Sequence, residues 1–71
     1  DKITIQYTSD KSEEVNMYIY DLSGREVFHQ RHRLLPGENL IDMNQLQLAK
    51  GTYYLDFQTE TISRQAKMMA Q

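Results

Sequence analysis

No cysteine occurs anywhere in the 71-residue chain. A nucleophile would therefore have to be Ser or Thr with a His base nearby, and the disulfides that staple many small extracellular domains are excluded. The lack of such staples argues against a eukaryotic secreted scaffold and leaves a bacterial exterior open. Tryptophan is also absent, and glycine is limited to three residues that stand far apart at turns, so no Gly-rich phosphate loop is present. No apolar run approaches the roughly 20 residues that a membrane-spanning helix needs. The sequence shows neither an initiator Met nor a signal-peptide pattern, and it starts in strand-like sequence at Asp1. It is therefore expected to be a fragment or processed product of a larger secreted protein. The formal net charge of -2 gives no bulk attraction to nucleic acid or to an anionic membrane.

What the chain does contain is period-two alternation. Ile3, Ile5 and Tyr7 alternate with Lys2, Thr4, Gln6 and Thr8, and Val15, Met17 and Ile19 line one face of a second strand. Asp21-Leu22-Ser23-Gly24 supplies a capping Asp and a Gly suited to positive φ, which signals a hairpin. Val27 sits in a third strand that becomes charged towards Arg33, and Pro36-Gly37 forces a turn. Ile41 and Met43 give a fourth strand; Tyr53, Leu55 and Phe57 a fifth; Ile62 to Met69 a sixth. Helical periodicity is confined to one turn's worth of sequence at Asn44 to Ala49, where Leu46 and Leu48 are expected to plug one end of the core.

Short strands at this spacing predict an all-β domain over 1–71. A small immunoglobulin-like antiparallel β-sandwich of about six to seven strands is expected, with Ile3, Ile5, Val15, Met17, Ile19, Val27, Ile41, Met43, Tyr53, Leu55 and Phe57 inside. So short a chain buries only about 60% of its unfolded surface. The fold is expected either to be marginally stable or to gain support from weak homodimer formation through an edge strand.

Catalytic chemistry finds no constellation. His29 and His32 lie three residues apart in one strand, a spacing that sends them to opposite faces and prevents chelation of one metal. No catalytic residue, metal ligand or cofactor is expected. Arg31-His32-Arg33, with Arg25, reads as a charged strand end that discourages edge pairing, ahead of a phosphate-binding patch. Tyr18, Tyr20, Phe28 and Tyr54 fall out of phase with the expected core. They read first as cover for neighbouring side chains, and second as an exposed docking surface.

Four motifs occur in order. Asp1-Lys2-Ile3-Thr4-Ile5 opens the chain as a strand. Tyr20-Asp21-Leu22-Ser23-Gly24-Arg25-Glu26-Val27 matches Tyr-Asp-x-x-Gly-Arg-x-Val. Asn39-Leu40-Ile41-Asp42-Met43-Asn44-Gln45-Leu46 precedes Gly51-Thr52-Tyr53, and Lys67-Met68-Met69 comes near the end. Together they resemble the C-terminal sorting domain of cargo proteins of the type IX secretion system of Bacteroidota. The chain departs from that pattern in lacking Asn-Pro before the first strand, in carrying Met at 43, 68 and 69, and in Ala70-Gln71 beyond the signature.

The resemblance implies a sorting signal whose motif residues here are Gly24, Gly51, Tyr53, Lys67, Met68 and Met69. It implies a cargo domain N-terminal to Asp1, passage through the periplasm, and export through an outer-membrane translocon to the cell surface or beyond. It also implies removal by a sortase-like cysteine protease, at or before Asp1, as the cargo is coupled to anionic lipopolysaccharide. No nucleic acid partner and no direct membrane insertion are expected. The alternative reading is an adhesive or carbohydrate-binding accessory β-sandwich of a secreted hydrolase, which the absence of Trp disfavours. A third is a structural spacer, in which the last residues would be dispensable.

Overall fold

The computed structural model describes residues 3–43 and 47–70, with the side chain of Ile3 outside that set. Six strands follow in chain order: β1 (Ile3–Ser9), β2 (Glu13–Tyr20), β3 (Glu26–Leu34), β4 (Gly37–Met43), β5 (Gly51–Gln58) and β6 (Ser63–Ala70). No helix occurs among the described residues. Every paired neighbour is antiparallel. β1 and β4 make a two-stranded sheet, and β3-β2-β5-β6 a four-stranded one. This is the expected small sandwich. Of the helical turn read at 44–49, Asn44, Gln45 and Leu46 lie outside the described residues, and Gln47 to Ala49 adopt no regular structure.

The core forms where the alternating faces of the two sheets meet. Val15, Met17, Ile19, Leu34, Ile41 and Met43 are fully buried, with Tyr53, Phe57 and Ala70 nearly so. Ile5, Tyr7, Phe28, Leu48, Leu55 and Met68 pack half-buried around them. The rings of Tyr7 and Phe57 meet across the sandwich, centroid to centroid, at 4.9 Å.

Two sequence expectations fail at one place. Val27 was expected inside and Phe28 outside, but Val27 is 39% exposed and Phe28 packs against the core. The cause is a register shift between β2 and β3. Ile19 opposes Phe28 while Tyr20 opposes Glu26, so Val27 has no opposite number and forms a β-bulge. One extra residue reverses the alternation of everything after it. Phe28, Gln30, His32 and Leu34 consequently turn inward and His29, Arg31 and Arg33 outward. Leu34, at the strand's charged end, becomes a fully buried core residue.

Asn39 ties the sheets' corner together. It is buried, its Oδ1 accepts the Leu35 N–H at 2.9 Å, and its Nδ2 donates to the carbonyls of Leu35, Gly37 and Tyr7 at 2.9, 3.1 and 3.3 Å. One side chain thus clamps the turn between β3 and β4, where Gly37 takes φ 100°, and holds it to β1.

Candidate functional site

Three segments far apart in sequence converge at one pole of the sandwich: the β2–β3 turn, the start of β5 and the end of β6. A hollow of ≈ 290 Å³ is lined by Asp21, Leu22, Ser23, Lys50, Gly51, Thr52 and Tyr53. A second, of ≈ 440 Å³, is lined by Lys50, Gly51, Thr52, Met69 and Ala70. Antiparallel pairing creates the convergence, since Gly51 opposes Ala70 and Thr52 opposes Met69.

Most motif residues at this pole have folding jobs. Asp21 Oδ1 accepts the Ser23 N–H at 3.0 Å, the Ser23 hydroxyl at 2.6 Å and the Arg25 N–H at 3.0 Å. Its carboxyl is held below the ordinary value, chiefly by the Ser23 hydroxyl and then by the Arg25 amide. Gly24 sits at φ 86°, in the left-handed region that a Cβ disfavours, and its N–H returns to the Asp21 carbonyl at 3.0 Å. Arg25 Nε reaches Asp21 Oδ2 at 3.3 Å, an exposed pair that contributes little. The Tyr53 hydroxyl donates to the Ala49 carbonyl at 2.6 Å, the tyrosine-corner device by which β-sandwiches fasten a loop to the strand that follows it. Gly51 is the first residue of β5, and a Cβ there would meet only the Tyr53 ring at 3.9 Å.

The end of β6 differs. Met68 faces the core and is half-buried, but Lys67 is exposed and Met69 is 70% exposed. Neither has a hydrogen-bond or ion-pair partner among the described residues. Leu22, across the pole in the β2–β3 turn, is 69% exposed. The pole therefore presents two large apolar side chains with Lys50 between them in both hollows and Lys67 two residues before Met69 on the same strand, an arrangement suited to binding rather than to folding. The sequence signal for Leu22 is its place in the turn motif, at one of the variable positions between Asp21 and Gly24.

The outer face of the four-stranded sheet carries the remaining aromatic residues. Tyr18 stacks on His29 with centroids 4.5 Å apart and planes at 10°, and on Tyr20 at 6.1 Å and 22°. Register places Tyr20 beside Tyr54, and Tyr54 beside Lys67. The Tyr20 phenol is pushed up by desolvation first, then by the Asp56 and Glu26 carboxylates. Phe28 does not belong to it. Arg31 also faces outward and lies 3.9 Å from Glu14, while His32 opposes Val15 on the inner side; the basic run is divided between faces.

A family model described as the secretion system C-terminal sorting domain matches residues 1–71. No curated protein and no solved structure matches the chain.

Proposed function

The chain belongs to the secretion system C-terminal sorting domain family, and from that premise we propose that the pole at the end of β6 is the part of the domain read during export. As a type IX sorting domain it interacts with that secretion machinery and directs a protein to the surface, or beyond, of a Gram-negative bacterium. In this reading Lys67 and Met69 are the contact residues, with Leu22 across the pole from them. Gly24, Gly51, Tyr53 and Met68 hold the pole in shape. The observation that carries it is a division of labour within the motifs. Asp21, Gly24, Asn39 and Tyr53 each satisfy a backbone need, whereas Lys67 and Met69 are exposed and satisfy none.

The cargo lies N-terminal to Asp1 in the parent protein, which passes the periplasm folded before reaching the outer-membrane translocon of a member of the Bacteroidota. A sortase-like cysteine protease then removes the domain as the cargo is anchored, with this chain as its substrate. The family is not catalytic, and on this reading any enzymatic activity belongs to the cargo.

The test places a reporter behind a signal peptide and in front of residues 1–71, in a host with the type IX machinery. Lys67→Ala and Met69→Ser alter exposed side chains and should each change stability by no more than about 0.5 kcal/mol. The expected result is a several-fold loss of surface reporter with periplasmic accumulation and an unchanged urea midpoint. Normal display of both variants would overturn the assignment of the contact to Lys67 and Met69 and place it elsewhere on the domain.

A further inference from the structure

The two-stranded sheet is too narrow to cover the four-stranded one. Among the described residues β1 pairs only with β4, and β6 only with β5, so each keeps a free edge. Between those edges opens a slot of ≈ 490 Å³, lined by Ile5 to Thr8 on one side and Arg64 to Ala66 on the other, over Leu55 and Phe57. Cover along β6 is uneven. Ala70 is buried and Met68 half-buried, but Ala66 and Arg64, on the same core-facing side opposite Leu55 and Phe57, are exposed.

We propose that this slot is a strand-acceptor site for an extended acidic segment of another protein, which adds to the free edge of β1 and lies over the uncovered half of β6. Strand addition suits the geometry, because main-chain groups of β1 supply the pairing while alternate side chains of the guest descend onto Leu55 and Ala66. Charge selects the guest. Arg64 is the one residue of the lining that is charged at neutral pH and makes no ion pair among the described residues. β6 holds Arg64 and Lys67 and no acid, so a guest with a carboxylate opposite Arg64 is favoured. The same two cations disfavour a second copy of the chain, since antiparallel β6–β6 pairing sets like charges against each other.

The slot depends on strand order, not on Lys67, which separates this site from the export pole. The test titrates the isotope-labelled chain with two end-blocked eight-residue peptides, one alternating Val and Glu, the other alternating Val and Lys. The Val–Glu peptide should shift the amide resonances of residues 5–8 and 64–66, and it should bind about 2- to 5-fold more tightly at low salt, the range one exposed ion pair supplies. Arg64→Glu should invert the preference, a result that loss of folding cannot produce. Failure of both peptides to bind, equal binding of the two, shifts confined to other strands, or concentration-dependent dimers in sedimentation would each overturn the proposal.

Discussion

Asn39 and Asp21 show how single side chains hold this fold at its corners. Asn39 needs both halves of its amide: one acceptor and three donor contacts. Asn39→Asp keeps the shape and the acceptor but faces a carboxylate towards three carbonyls. It should cost about 2–3 kcal/mol, more than Tyr53→Phe, which removes one hydroxyl contact for about 1 kcal/mol; urea denaturation compares them. Asp21 gives a pH signature. Its carboxyl titrates below the ordinary value in the folded chain, so the stabilisation it provides is complete above the unfolded-state value and is lost as pH falls through the folded one. Amide exchange in the turn should therefore quicken on acidification below the usual carboxylate range, and Asp21→Asn should remove that dependence. Motif positions 21, 24 and 53 were legible in the sequence as turn and strand signals. The role of Asn39 was not, since all but one of its partners come from the turn before it and the last comes from a strand 32 residues away.

Strand β3 reverses the mutational sensitivities its sequence suggests. Leu34→Ala removes a fully buried side chain and should cost about 3 kcal/mol, and Phe28→Ala about 2 kcal/mol. Val27→Ala, at the bulge, should stay within about 0.5 kcal/mol; equilibrium urea melts of the three variants check the order. Alternation made the other strands readable because an uninterrupted ladder keeps one face apolar. Nothing in Glu26-Val27-Phe28 marks where the extra residue enters, since two adjacent apolar residues fit either phase equally. The aromatic row lost Phe28 for this reason and kept Tyr18, Tyr20 and Tyr54, which precede the bulge or lie on another strand.

Among the described residues, six large apolar side chains are fully buried, each adding roughly 1.5–3 kcal/mol before chain entropy is set against it. A core of this size sustains a net stability of about 3–5 kcal/mol, so Leu34→Ala should leave much of the chain unfolded at 25 °C, visible as lost β-sheet dichroism. Native-state hydrogen exchange should rank the strands by their neighbours. β2 and β5, each paired on both sides, should exchange slowest, and β6, held by β5 alone, should open first. Uniform protection across the four-stranded sheet would contradict that ranking.

The pole joining the β2–β3 turn, the start of β5 and the end of β6 draws its surface from residues 21–23, 50–53 and 69–70. None of these stretches presents that surface alone. An unfolded copy holds the same letters but not the same object, so a reader of the pole would recognise completion rather than composition. A tag read in this way would certify its own folding: a chain that misfolded would lose its address along with its shape.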